Sequence, residues 1–223
     1  MSIQSGDLWV KICGVRSERD IQTAAKAGAD AVGILCSVPI ESPRRVEAER
    51  ARELVAATPE SLTSVLVTMP AGSSEAIDLL ETVEPDVIQL HGELSPIQVA
   101  RIVTECPVIR AFDVTALEEM KAAADHVDAV LIDSTDEQGA GGTGETHDWQ
   151  LARSRVTELD IPVILAGGLT PDNVAAAVEQ VQPFGVDVAS GVDGDEGKDA
   201  IAVHQFVERA RSVTPSAPGW SYS

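Results

Sequence analysis

The feature that most constrains this chain is an alternation. Short runs rich in β-branched residues are each followed by an Ala-rich amphipathic stretch, eight times over. The strand candidates are Leu8–Cys13, Ala31–Leu35, Leu62–Thr68, Asp86–Leu90, Pro107–Phe112, Asp128–Ile132, Ile161–Leu165 and Gly185–Val188. The helix candidates are Ser17–Ala27, Val46–Thr58, Ser73–Val83, Ser95–Thr104, Ala116–Asp125, His147–Glu158, Pro171–Gln180 and Lys198–Arg211. Runs such as VDAVLID and IPVILAGG are almost continuously apolar, the pattern of parallel strands covered by helices on both faces. Helix starts carry their own signals. Ser17-Glu18 sets a cap before an acid, and Ser95-Pro96 and Thr170-Pro171-Asp172 set a cap before proline.

Eight strand–helix units in 223 residues use about 28 residues each and leave little chain for a second domain. An open doubly wound sheet is the competing arrangement, but the first turn, CGVRSERD, lacks the GxGxxG of a dinucleotide site. The expected fold class is therefore α/β: a single-domain (β/α)8 TIM barrel over residues 1–213. Residues 214–223, rich in Pro, Ser and Gly, are expected to form a flexible tail.

Composition narrows the partners. The chain is 44% hydrophobic and carries 36 acidic against 16 basic residues, a net charge of −20. A surface of that sign repels nucleic acid and anionic lipid, so neither is an expected partner. No apolar run approaches the length of a membrane helix, and the start, MSIQSGDLWV, has no basic-then-apolar leader pattern. Cys13, Cys36 and Cys106 are odd in number and widely spaced, which suits a reducing cytoplasm and matches no zinc spacing, so no metal is expected. Oligomeric state, monomer or homodimer, is not written in the pattern.

In such barrels the chemistry sits at the C-terminal ends of the strands. Those ends read Lys11-Ile12-Cys13-Gly14, Gln89-Leu90-His91-Gly92, Arg110-Ala111-Phe112-Asp113, Ile132-Asp133-Ser134, Ala166-Gly167-Gly168 and Val188-Ala189-Ser190-Gly191. Period two puts Lys11 and Cys13 on one face, with Val10 and Ile12 toward the helices. An ammonium beside Cys13 favours its thiolate and makes it a candidate base; a packed structural thiol is the alternative. Asp133 ends an apolar strand, where it is either a general acid or an acceptor for loop amides. Gly167, Gly168, Ser190 and Gly191 make the last two turns candidate phosphate loops, against the plainer reading of tight turns. Gly141-Gly142-Thr143-Gly144 lacks a P-loop lysine and reads as a loop over the site, not a nucleotide cradle. Arg44, in Ser42-Pro43-Arg44-Arg45, suits a carboxylate, or is half of a surface basic pair.

Taken in order, KICG, SPR, QLHG, LIDS, GGTG, AGGL and GVDVASGV closely resemble the phosphoribosylanthranilate isomerases of tryptophan biosynthesis, from about Val10 to Arg211. The resemblance implies an Amadori rearrangement of N-(5-phosphoribosyl)anthranilate without cofactor or metal. It implies Cys13 as general base and Asp133 as general acid. It implies Lys11, Arg44, Gln89, His91 and Asp187 as substrate-binding residues and Gly167, Gly168, Ser190 and Gly191 as phosphate-binding residues. The chain departs from the family where Ala189-Ser190-Gly191-Val192-Asp193 replaces Ser-Ser-Gly-Val-Glu, where Glu145 follows the GGTG turn in place of Lys, and where Arg45 replaces the Tyr of SPRYV. Another phosphate-binding barrel enzyme, or a barrel that only binds a phosphometabolite, are the competing readings.

The charge also speaks to solvent. There are twelve Arg but only four Lys, namely Lys11, Lys26, Lys121 and Lys198. Self-repulsion on an acidic, Lys-poor surface is removed by salt, so a salt-adapted source is expected. The thermal midpoint should climb steadily as KCl rises from dilute to molar. A midpoint independent of salt, with full activity in dilute buffer, is the outcome that contradicts this.

Overall fold

The structure is a computed structural model that describes residues 8–39, 41–133 and 146–213. The N-terminal residues, Ser134, the Gly141–Gly144 turn with Glu145, and the expected tail from Thr214 lie outside the described residues.

Eight parallel strands alternate with eight helices. The strands are β1 (Trp9–Cys13), β2 (Ala31–Cys36), β3 (Thr63–Thr68), β4 (Val87–Leu90), β5 (Val108–Asp113), β6 (Ala129–Asp133), β7 (Val163–Ala166) and β8 (Gly185–Val188). The helices are α1 (Glu18–Ala27), α2 (Ala48–Ala56), α3 (Ser73–Val83), α4 (Pro96–Val103), α5 (Leu117–Ala124), α6 (Thr146–Glu158), α7 (Val174–Val181) and α8 (Ala200–Arg211). Each strand pairs with its sequence neighbours, and β1 pairs with both β2 and β8, which closes the sheet. The expected (β/α)8 barrel is what the chain forms.

Alternation divides the strand residues into two layers. Val10, Ile12, Val32, Ile34, Val130 and Ile132 face outward onto Ile21, Ile102, Met120 and Phe206 of the helices, all essentially buried. Trp9, Ala31, Val65, Ile109, Leu131 and Ile164 fill the barrel interior. Trp9 stacks on Phe184 near the N-terminal rim, with ring centroids 6.4 Å apart.

The element ends differ from the sequence expectation where side chains or short pairings take over the backbone. Helix α2 starts at Ala48, not Val46, because Arg45 and Val46 extend beside Leu35 and Cys36 in a short parallel pairing. Helix α7 starts at Val174, not Pro171. Asn173 accepts from the Thr170 amide at 2.8 Å and donates to the Gly168 carbonyl at 3.0 Å, which holds the first turn as a loop. Helix α8 starts at Ala200, not Lys198; Asp199 caps it by accepting from the Ala202 amide at 2.7 Å. The Ser17 cap is realised, with reciprocal bonds between Ser17 and Asp20.

One device recurs at the N-terminal rim. An aspartate one residue before an even-numbered strand accepts a backbone N–H from the preceding odd-numbered strand. Asp30 takes the Val10 amide at 2.7 Å, Asp86 the Ser64 amide at 2.8 Å, and Asp128 the Val108 amide at 2.8 Å. Each bond satisfies a donor at a strand start that the ladder leaves open. Asp86 also accepts from the Ser64 hydroxyl at 2.6 Å, and Ser64 is buried. Asp86→Ala should therefore destabilise the barrel by about 1–3 kcal/mol, the cost of stranding buried donors. Exposed Glu81→Ala should cost less than about 0.5 kcal/mol. Denaturant unfolding of the two variants checks this; equal midpoints would contradict it.

Candidate active site

The C-terminal rim gathers the inward residues of several strands. On β1 the inward positions are Trp9, Lys11 and Cys13, so the side of the strand expected from period two is the side observed. Lys11 is fully buried and lies opposite Asp187 of β8 in the strand register. Its Nζ donates to Asp187 Oδ2 at 2.9 Å. Burial works against the Lys11 charge, but Asp187, and Cys13 once it is ionised, outweigh it and hold the ammonium above its usual range. Lys11 is thus a fixed cation inside the barrel.

Cys13 sits one step further toward the rim. Burial pushes its thiol up, and Lys11 opposes that shift without overcoming it. Lys11 does favour the thiolate, as its place beside Cys13 implies, and desolvation in the buried mouth disfavours it more strongly, so the net shift is upward. Gly33, opposite Cys13 on β2, makes room for the pair. A Cβ there would lie 2.8 Å from Cys13 Sγ and 3.1 Å from Lys11 Cε. The sequence reading did not single out Gly33; a glycine inside an apolar strand is the signal for such a close approach.

Gln89 and His91 stand on the β4 side. Their Nε2 atoms lie 2.8 Å apart, so with the amide donating, the imidazole accepts at Nε2 and carries its proton on Nδ1. Burial pushes the His91 pKa down, with Lys11 and Arg110 adding to the shift and Asp133 and Asp187 opposing it. The imidazole is neutral at neutral pH. Those same influences place His91 among Lys11, Asp133, Asp187 and Arg110. Two acceptors in this layer, Gln89 Oε1 and Asp187 Oδ1, are buried without a hydrogen-bond partner among the described residues. Buried orphan acceptors are costly, and a bound donor would relieve both.

Asp133 ends β6, half-buried, opposite Asp113 of β5 and Ala166 of β7. Three steps around the closed ring separate β6 from β1, so Asp133 and Cys13 reach the mouth from different sides. A cleft of about 1110 Å³ runs from His91, Arg110 and Asp133 outward past Val99 of α4 and Ala123 of α5. Cys13 and Lys11 do not line it, so the cleft is an approach to the acid side and not the whole mouth.

Arg110, which sequence reasoning passed over as a strand-end residue, is buried and donates to the carbonyls of Leu90 and Gly92. Its guanidinium lies over the Phe112 ring, 5.1 Å from the centroid. It fixes the turn that carries His91. A polar residue inside an apolar strand was the available signal.

The glycine turns after β7 and β8 pack together. Gly167 and Gly168 both have positive φ, and a Cβ on Gly191 would lie 2.0 Å from the Leu169 carbonyl oxygen. Ser190 is exposed at the start of a short 3₁₀ turn, Ser190–Val192. The close approach of Gly191 to Leu169 brings the two turns side by side at the C-terminal rim.

Arg44 reaches the site from the loop after β2. Its stem lies over Gly14, where a Cβ would meet Arg44 Cδ at 2.4 Å. Its Nε donates to Asp193 Oδ2 at 2.8 Å, and its Nη2 lies 2.7 Å from the same oxygen in an ion pair. Arg45, the second member of the pair, is exposed and turns to the Val38 carbonyl instead. Among the described residues no His, Cys, Asp and Glu cluster is arranged to hold a metal, and no helix is long and apolar enough to cross a membrane.

Comparison with known proteins agrees with this arrangement. Residues 10–209 match the family model of N-(5'-phosphoribosyl)anthranilate isomerase. The chain is 55% identical over 213 residues to the isomerase of that name from Halobacterium salinarum, covering 92% of this chain and 96% of that one. The phosphoribosyl anthranilate isomerase of Thermococcus kodakaraensis superposes with a TM-score of 0.80 at 30% identity, covering 92% of this chain and all of that one. A phosphoribosyl anthranilate isomerase in complex with reduced 1-(o-carboxyphenylamino)-1-deoxyribulose 5-phosphate superposes at 0.75, with 30% identity and the same coverage of this chain. With the motifs in sequence order, residues 10–209 matching the family model and relatives this similar, the chain belongs to the N-(5'-phosphoribosyl)anthranilate isomerase family.

Proposed function

We propose that this protein isomerises N-(5-phosphoribosyl)anthranilate to 1-(2-carboxyphenylamino)-1-deoxyribulose 5-phosphate in tryptophan biosynthesis, in the cytoplasm, with Asp133 as general acid and Cys13 as general base. The observation that carries the assignment of roles is that these two groups enter one barrel mouth from different sides. A furanose held between them can be protonated on one side and deprotonated on the other.

The steps balance without a cofactor. Asp133 donates a proton to the ring oxygen, the C1′–O bond breaks, and the anilino nitrogen lone pair forms an iminium at C1′. Cys13, as thiolate, takes the C2′ proton, and that electron pair forms the C1′=C2′ bond while neutralising the nitrogen. The resulting enolamine loses its 2′-hydroxyl proton and gains one at C1′, giving the C2′ ketone. Lys11 is the cation that favours the thiolate once substrate arrives; Asp187 holds Lys11 and presents its orphan oxygen to the anilino or ribose donors. Neutral His91 and Gln89 offer hydrogen bonds without adding charge. Gly167, Gly168, Ser190 and Gly191 take the phosphate, and Arg44 takes the aromatic carboxylate.

The test follows loss of substrate fluorescence in high salt with EDTA present. Cys13→Ser and Asp133→Asn should each lower turnover by about 100- to 10,000-fold while the protein stays folded by circular dichroism. Normal turnover in either variant removes that residue from its role. Complete inactivity of the folded parent would favour a barrel that binds a different sugar phosphate.

The raised thiol makes a second expectation. If the reacting form is the thiolate, kcat/KM rises with pH and levels off only above the ordinary cysteine range, about 8.5. Lys11 opposes the upward shift and Asp187 adds to it, so Lys11→Met should move that limb to higher pH. A pH–rate profile of parent and variant decides; a limb that stays put, or moves down, contradicts the assignment.

A further inference from the structure

The segment between β8 and α8 carries a structure that helix periodicity concealed. Asp193–Gly194 and Gly197–Lys198 pair as a two-residue antiparallel ladder. This small hairpin is anchored to the first loop of the barrel through Asp20. Asp20 Oδ1 accepts the Lys198 amide at 2.9 Å, and Asp20 Oδ2 accepts the amides of Arg16 and Ser17 at 2.9 and 3.1 Å. Asp20 is buried, and a Cβ on Gly197 would lie 2.5 Å from its Oδ1.

The hairpin in turn holds two cations on one carboxylate. Lys198, its side chain only 1% exposed, donates to Asp193 Oδ1 at 2.6 Å and to the Ala189 carbonyl at 2.9 Å. The other oxygen, Asp193 Oδ2, accepts from Arg44 Nε and lies 2.7 Å from Arg44 Nη2 in an ion pair. Burial opposes the Asp193 charge, but Lys198 and Arg44 outweigh it and hold the carboxyl below its usual range.

The charge arithmetic gives the cluster a purpose. A lone Asp193 would fix Arg44 and also cancel its charge, which would spoil a site for an anion. Lys198 offsets Asp193, so the trio of Arg44, Asp193 and Lys198 keeps one net positive charge beside the acidic Asp195 and Glu196 of the hairpin and Asp20 beneath it. Asp193 engages the Nε–Nη2 edge of the guanidinium. The Nη1–Nη2 edge is a second bidentate donor pair, matched in geometry to a carboxylate. The bond from Lys198 to Ala189 ties the same frame to the residue before Ser190, at the root of the phosphate turn.

We propose that Asp193 and Lys198 are positioning residues that clasp Arg44 over the mouth, aim its open edge at the substrate's aromatic carboxylate and keep that corner cationic. The proposal rests on the reading of Arg44 as the carboxylate-binding residue. Neither Asp193 nor Lys198 touches the reacting atoms; Asp193 acts through Arg44, and Lys198 acts through Asp193 while its charge also favours the Cys13 thiolate.

Steady-state kinetics on the full chain in high KCl tests it, with thermal midpoints recorded beside each variant. Asp193→Ala should raise KM for phosphoribosylanthranilate about tenfold, with kcat changed less than about threefold; Lys198→Met should raise KM about as much and also lower kcat, because its charge favours the Cys13 thiolate. Asp193→Glu, which keeps both acceptor oxygens, should bring KM most of the way back. If Lys198→Met does not fold, the nearly isosteric Asp193→Asn carries the same expectation for KM. An unchanged KM in the Asp193 variants overturns the clasp. So does a fall in kcat, KM unchanged, that tracks a lowered melting point and is not rescued by Asp193→Glu, since that is the mark of a merely structural hairpin. Arg44→Leu separates the two layers of the argument. A raised KM there with a normal KM in Asp193→Ala defeats the clasp alone; a normal KM in Arg44→Leu defeats the reading of Arg44 and the clasp with it.

Discussion

Strand β1 pairs with β2 on one side and β8 on the other, and this closure governs what the remaining residues can do. A closed ring leaves inward side chains no edge from which to escape, so Lys11 must lie inside the barrel. An ammonium there is costly unless a carboxylate meets it. The register supplies one, because closing the ring sets Lys11 directly against Asp187. The same register puts Cys13 one inward position above Lys11 and opposite Gly33, which has no side chain to obstruct it. Topology, ion pair and reactive thiol are thus consequences of a single pairing.

That polar layer is not neutralised internally. Asp187 spends one oxygen on Lys11 and leaves the other unpartnered among the described residues, and Gln89 does the same with its amide oxygen. Completing every bond inside the protein would favour stability; leaving acceptors open in a buried mouth favours a ligand that carries donors. The electrostatics follow the same division. The surface is strongly acidic, whereas Lys11, Arg44, Arg110 and Lys198 lie around or beneath one rim. Salt screens the diffuse surface charge over about 8 Å at ordinary ionic strength and less when concentrated. Short buried pairs are screened far less. An acidic protein can therefore keep a local anion site, and the 55% identical relative from a halophilic archaeon has the same family assignment.

What could be read from the sequence is what local pattern encodes. Period two on β1 correctly turned Lys11 and Cys13 inward, and continuous apolar runs correctly announced strands buried on both faces. Element ends were less legible because other chemistry competes for them. Asn173 diverts the start of α7 with its own side chain, and Arg45–Val46 are drawn into the sheet by β2. The net shift of the Cys13 thiol was out of reach for a related reason. Lys11 is a neighbour visible in the sequence, but the depth at which the barrel buries the thiol is a property of the closed ring.

The hairpin around Asp193 marks the boundary most clearly. GVDGDEGKD reads as an acidic, glycine-rich lead into a helix, and nothing within it indicates that Asp193 meets Arg44, 149 positions earlier. Yet a signal was present in composition. The chain has twelve arginines and only four lysines, and two of the four, Lys11 and Lys198, are the buried ones. At solvent-exposed positions, such as those of Lys26 and Lys121, the ammonium is a strongly hydrated point charge on a flexible stem. Inside the fold the requirement is different: a compact point charge that fits beneath a single carboxylate, which the wider guanidinium fork cannot do in the same space. In a Lys-poor protein, the retained lysines are therefore the ones to examine first for work inside the fold.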